Sequence, residues 1–230
     1  MHVRLERIMM KNEKFIDLSH TVEHGLTTYR GLPAPVISDF LSREESRRTY
    51  APGTEFHIGR IEMVANTGTY LDSPFHRYPH GADLAQLPLS SLADLEGIVI
   101  RAQDFDGRGM SVEAFRGIDL KEKAVLVHTG WDKYWASEKY FEGHPFLTEE
   151  VARHLIEAEV KLIGIDSLNI DDTRDLARPV HSLLLKAQIP IVEHLCNLGS
   201  LPDRGFRFFA VPVKVKNFGT FPVRAFAIIE

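Results

Sequence analysis

Between Asn66 and His76 the chain carries an amide, a phenol, a carboxylate and an imidazole, at positions 66, 70, 72 and 76. In an extended segment these even separations turn all four side chains toward one face. A carboxylate on that face can hold or bridge cations, and an imidazole four residues on can sit beside a metal and carry a proton, since histidine as a group titrates near neutrality. Taken alone, Asp72 serves equally well as the residue that caps the Ser73-Pro74 turn. Farther along, His181 and Glu193 are separated by one helix and one strand, an arrangement that lets a first-turn histidine and a strand-end carboxylate converge. Both are standard ligands for zinc or manganese. Taken alone, each has a plainer reading, as a helix-start residue bonded to backbone and a strand-end charge in solvent.

The remaining polar residues rank below these. His80 follows Pro79 and precedes Gly81, which breaks any helix that could present it with His76, so it reads as a loop residue at the pocket edge. His20 closes the first strand, where it is either a substrate contact or, more plainly, a polar strand end; His194 points away if Glu193 points in and reads as structural. The acidic group Asp166, Asp171, Asp172 and Asp175 lacks the glycine and terminal glutamate of a calcium loop and reads as a solvated turn. Trp131, Trp135 and Phe141 are either core or the wall of an aromatic-substrate pocket.

These side chains need a scaffold, and the pattern supplies an α/β one. Strand-like runs cover 15–18, 55–64, 97–102, 124–128, 162–166, 189–193, 206–213 and 224–229. A helix is predicted from Thr148 as N-cap, with Glu149 and Glu150 in its first turn and Val151, Leu155 and Ala158 on its apolar stripe. A shorter helix starts at Pro179, whose fixed φ suits a first helical position, and runs to about Ala187. Pro190 then opens a strand, and 31–35 reads as a loop. At 230 residues without repeats or linkers, a single domain is expected, with 1–14 as a peripheral extension.

Composition excludes several classes of function. A net charge of −5 without a basic cluster argues against nucleic acid. No apolar run nears the roughly 20 residues of a membrane helix, and the charged start of the chain has no signal-like core. One cysteine, Cys196, precludes an intrachain disulfide and a cysteine zinc cluster, and a cytoplasmic location is the expectation. There is no Gly-x-Ser-x-Gly elbow, His-Glu-x-x-His, Walker loop or dinucleotide fingerprint.

The segment from Asn66 to His76 resembles the signature His-x-Gly-Thr-His-x-Asp-x-Pro-x-His of the cyclase family of metal-dependent hydrolases, which includes bacterial kynurenine formamidase and isatin hydrolase. Gly68, Thr69, Asp72, Pro74 and His76 match it; Asn66 and Tyr70 stand at two of its histidine positions. Further segments resemble the family in the same order: Ile16 to His20, Val125 to Trp131, Gly164 to Asp171, His181 to Leu185, Ile191 to Leu198 and Pro222 to Ala227. The resemblance implies a barrel-like β/β/α (swivelling) architecture and a metal site of Asp72, His181 and Glu193. Because an amide is a weak ligand and a phenol binds well only when ionised, Asn66 and Tyr70 imply one zinc or manganese per chain rather than two, with both residues as variant ligands or pocket groups.

The implied activity is hydrolysis of a small, aromatic amide such as N-formylkynurenine, in which water acidified by the metal attacks the carbonyl and His76 shuttles the proton. Two alternatives are a lactone or cyclic-amide hydrolase with one metal, and a small-ligand-binding protein without catalysis. The partner is a small-molecule substrate, and relatives imply a homo-oligomer, dimer or tetramer.

Overall fold

The computed structural model describes residues 13–103 and 107–229. Its strands are β1 (Lys14–Asp17), β2 (Val36–Leu41), β3 (Ile58–Glu62), β4 (Tyr70–Asp72), β5 (Leu95–Arg101), β6 (Gly109–Met110), β7 (Ala124–His128), β8 (Phe146–Leu147), β9 (Leu162–Ile165), β10 (Ile191–Glu193), β11 (Arg204–Phe209), β12 (Thr220–Pro222) and β13 (Phe226–Ile229). Nine of them form one sheet in the order β1-β13-β11-β5-β7-β9-β10-β4-β12. Its centre, β5-β7-β9-β10, is parallel, and the flanking pairs are antiparallel. The central strands are buried on both faces, which is why they read as continuous apolar runs such as Ala124 to Val127.

The sheet is curled into an open half-barrel with helices outside, the α/β swivelling architecture expected. The α-helices among the described residues are α1 (Arg43–Ser46), α2 (Glu149–Glu157) and α3 (Pro179–Lys186), beside six short 3-10 turns. α2 presses Val151, Ala152 and Leu155 onto one face of the sheet, and α3 adds Val180, Leu184 and Leu185. The concave face encloses a second core of Leu18, Leu71, Leu126, Val192, Leu195 and Phe208.

Several elements depart from expectation for local reasons. Thr148 occupies the N-cap of α2 in extended conformation, but its hydroxyl caps nothing. β3 pairs with β2, a strand without a clear alternating pattern, and the two form a separate ribbon. Residues 66–76 are extended only over β4; Pro74 starts a 3-10 turn, Pro74–His76, so a turn rather than strand periodicity delivers His76. Of the predicted extension 1–14, residues 1–12 lie outside the described residues, while Lys14 opens β1.

Candidate metal centre and active site

Strand register assembles the first part of the site. β4 lies between β10 and β12, with Tyr70 opposite Glu193 and Asp72 opposite Thr220. Tyr70 and Asp72, two residues apart, share a face, so register alone gathers Tyr70, Asp72, Glu193 and Thr220. Gly68 and Thr69 set up this entry. Gly68 has φ +67, and a Cβ there would meet Val22 at 2.9 Å. The Thr69 hydroxyl donates to the carbonyl of His194 at 2.5 Å and accepts from the amide of His20 at 2.9 Å, tying β4 to the end of β10.

The first turn of α3 brings His181 to the same point. Ligand atoms of Asp72, His181 and Glu193 all lie within 4.8 Å of one another, and all three residues are buried. His181 Nε2 is 3.6 Å from Asp72 Oδ2 and 3.6 Å from Glu193 Oε1. Its other nitrogen, Nδ1, bonds Asp171 Oδ2 at 2.6 Å, so the imidazole aims Nε2 between the two carboxylates. Asp171 also accepts from the amides of Val180 at 2.7 Å and His181 at 3.0 Å, capping α3 from eight residues away and fixing ring and helix together.

The carboxylates are held as firmly. Glu193 accepts from the amide of Ile170 at 2.6 Å, the Tyr70 hydroxyl at 2.6 Å and the Asn169 amide at 3.3 Å. Asp72 Oδ1 accepts from the Thr220 hydroxyl, while Asp72 Oδ2 is buried without a hydrogen-bond partner. Such an orphaned carboxylate oxygen facing an imidazole nitrogen and a second carboxylate is the donor set of a divalent cation. The residues present therefore fit a single divalent cation.

Burial and mutual charge set the protonation of this cluster. Burial alone would pull His181 down, but Glu193, Asp171 and Asp72 outweigh it and push its pKa up to about 10. Burial raises Glu193 to about 7, opposed by His181 and reinforced by Asp72. Burial likewise opposes ionisation of Asp72, yet His76, His181 and Thr220 hold its pKa below the usual carboxylate value. Tyr70 is raised well above an ordinary phenol by burial and then by Glu193 and Asp72, so it is a neutral donor.

His76 stands at the edge. Its Nδ1 is 2.8 Å from the Thr220 hydroxyl and 3.5 Å from Asp72 Oδ1, and the side chain is 36% exposed. A cavity of about 310 Å³ opens over the cluster, walled by Tyr29, Leu32, Asn66, Tyr70, His76, Arg77, Asn169, Arg178, His181 and Glu193 among others. Asn66 and Tyr70 thus belong to the wall. His80 is exposed and is not part of it. Trp131, Trp135 and Phe141 do not line it either: all three are half-buried, and Trp135 stacks on His20 at 3.9 Å and meets Tyr140 and His194 edge-on, in an aromatic cluster outside the cavity.

The solvated-turn reading holds for exposed Asp175 but not for Asp166 or Asp171. Asp166 is fully buried and accepts from the Thr129 amide, the Thr129 hydroxyl and the Gly130 amide, and Asp171 is the buried anchor of His181. The sequence reading also missed Thr220 and Arg178. Thr220 lies 148 residues from the carboxylate it serves, so no local spacing marks it. Asp171 carried a signal, an acid shortly before a helix that begins with proline.

The profile of a family described as putative cyclase matches residues 16–172. Kynurenine formamidase of Bacillus cereus is 26% identical over 217 residues, covering 94% of this chain and 98% of that protein. An uncharacterized protein of Methanocaldococcus jannaschii is 33% identical over 179 residues, covering 76% of this chain and 84% of its own. Among solved structures, isatin hydrolase A from Labrenzia aggregata, bound to benzyl benzoate, superposes with a TM-score of 0.79 over 94% of both chains at 22% identity, a likeness of fold. With two-thirds of its length under the family profile and a buried Asp-His-Glu cluster at the end of the same half-barrel, this chain belongs to the putative cyclase family.

Proposed function

We propose that the protein is a hydrolase with one metal ion, acting on the C–N bond of a small aromatic amide of the N-formylkynurenine type. The observation that carries this reading is the convergence of Asp72, His181 and Glu193 within 4.8 Å at the floor of a cavity that His76 also lines. A divalent metal held by these three side chains supplies Lewis acidity, polarising a carbonyl and acidifying water. Three protein ligands leave a coordination position for substrate or water.

The chain's own residues do the rest. His76 takes a proton at Nε2 from the attacking water and returns it to the departing amine, while the Thr220 hydroxyl at Nδ1 holds the ring in place. Asp171 keeps Nδ1 of His181 engaged and Nε2 available. Tyr70 donates to Glu193 Oε2, with the Asn66 side chain beside its hydroxyl. This pair takes up a carboxylate oxygen that a second ion would need, which supports a count of one metal. The kynurenine formamidases among the relatives support a formamide as substrate.

The test is metal content by elemental analysis together with turnover of N-formylkynurenine. The expected result is about one zinc or manganese per chain, lost in Asp72→Ala. His76→Ala should keep the metal and lose about 10²- to 10⁴-fold in kcat. Normal turnover by His76→Ala would remove that residue from the mechanism. A single-metal lactone or cyclic-amide hydrolase is separated by offering those substrates beside the formamide. A binding protein without catalysis is the rival that the neutral Tyr70 on Glu193 favours; ligand affinity in metal-free protein with no turnover of any amide or lactone would establish it.

A further inference from the structure

Two guanidinium groups, Arg77 and Arg178, share the cavity with His76, His181 and Glu193. Among the described residues neither forms an ion pair with a carboxylate. Arg77 donates from Nε to the Ser182 hydroxyl at 3.3 Å and lies over the Tyr78 ring. Arg178 donates to the backbone carbonyl of Asp172 at 3.1 Å and lies close to the phenol of Tyr29. The carboxylate of Asp172 is already engaged, by Arg174 at 2.7 Å and Arg108 at 3.5 Å.

The backbone at Arg178 is also unusual. It sits at φ 48, ψ 60, the left-handed region, at the N-cap of α3, and its side chain makes no cap. Glycine or asparagine adopts that conformation more cheaply, and a short polar residue caps a helix better. Local energetics therefore do not call for arginine here, and the side chain is turned instead toward the cavity, braced by Tyr29 and the Asp172 carbonyl.

The charge balance gives this a meaning. When Asp72 and Glu193 hold a divalent cation, their two negative charges match its two positive ones, and His181 ligates as a neutral ring. Arg77 and Arg178 then leave the cavity wall cationic. A guanidinium with donors still free is the group that recognises a planar carboxylate.

We propose that Arg178, assisted by Arg77, is the specificity-determining residue for a carboxylate on the substrate, so that the protein selects aromatic amides that carry a carboxylate over those that do not. This rests on the hydrolase reading only for the word substrate. The anion site itself is read from the cavity wall.

Calorimetric titration of the zinc-loaded protein with benzoate and its neutral isostere benzamide tests the assignment without relying on turnover. The expected result is at least about tenfold tighter binding of benzoate, the size of one charge-assisted contact. Arg178→Gln should abolish that preference while leaving benzamide affinity in place, and Arg178→Lys, which keeps the charge without the planar fork, should retain part of it. Wild-type protein stripped of metal with a chelator should still prefer benzoate, less strongly because the charges of Asp72 and Glu193 are then only partly compensated. Equal affinities for the two ligands in the wild type would overturn the proposal. So would an unchanged ratio in Arg178→Gln, because the carboxylate would then be bound by the metal. Loss of amide turnover with the benzoate preference intact would defeat the hydrolase reading and not this one.

Discussion

His181 shows how one residue's surroundings decide its chemistry. Two carboxylates in front and Asp171 behind raise its pKa to about 10, so at neutral pH the metal-free ring is protonated. A metal ligand must be a neutral imidazole, so binding expels a proton, joined by part of one from Glu193, whose pKa is about 7. Metal affinity should therefore rise with pH across the neutral range. Calorimetry of zinc binding in buffers of different ionisation enthalpy should report net proton release, and a pH-independent affinity would contradict this protonation state. Asp171 can be tested separately. Asp171→Asn keeps an oxygen for the Val180 amide but sets an NH₂ against Nδ1–H of His181. Metal affinity should fall by about 10- to 100-fold, the usual cost of losing an outer-shell partner, measured by competition with a chromophoric chelator.

Short elements at the sheet edge place these side chains, and their close approaches leave little tolerance. A Cβ on Gly219 would lie 2.5 Å from the backbone nitrogen of His76 and 2.6 Å from its Cα. Gly219 immediately precedes β12, and its carbonyl accepts from the amide of Ser73 at 2.7 Å, so this glycine presses the Pro74–His76 turn into position. Gly219→Ala should displace His76 and lower turnover while the Asp72-His181-Glu193 ligand set keeps its metal. Elemental analysis paired with kcat separates the two, and an unchanged kcat would show that the turn can shift freely. The helical turn that carries His181 is fixed differently, by the buried face of α3 and the Asp171 cap, so loss of the cap affects helix and ligand together.

At the scale of the whole molecule, the β2–β3 ribbon stands apart from the half-barrel. Both strands are exposed along nearly their whole length, with Phe40 73% and Ile61 50% accessible and Ile37 and Ile58 close behind. A two-stranded ribbon has little stability by itself, and contiguous exposed apolar side chains mark contact surfaces. We propose that the ribbon is the surface through which the homo-oligomer expected from the family resemblance forms. Sedimentation velocity should show association that strengthens with concentration and weakens in Phe40→Glu; a monomer at all concentrations would refute it. Among the described residues no helix is long and apolar enough to cross a membrane.

Much of this architecture is written in local pattern. Ala124–His128 is a strand because an uninterrupted apolar run can be buried on both faces, and α3 starts at Pro179 because proline suits a first helical turn. The family resemblance singled out Asp72, His181 and Glu193 as candidate ligands, and the structure brings their polar atoms together. What only the tertiary structure decided are the contacts between segments far apart in the chain. Tyr70 meets Glu193 across 123 residues, Thr220 meets Asp72 across 148, and Asp171 leaves its apparent surface turn to orient His181. The reason is physical: periodicity and propensity act over a few residues, whereas register and helix docking set which polar atoms meet in a buried site, and there each must find a partner or a metal.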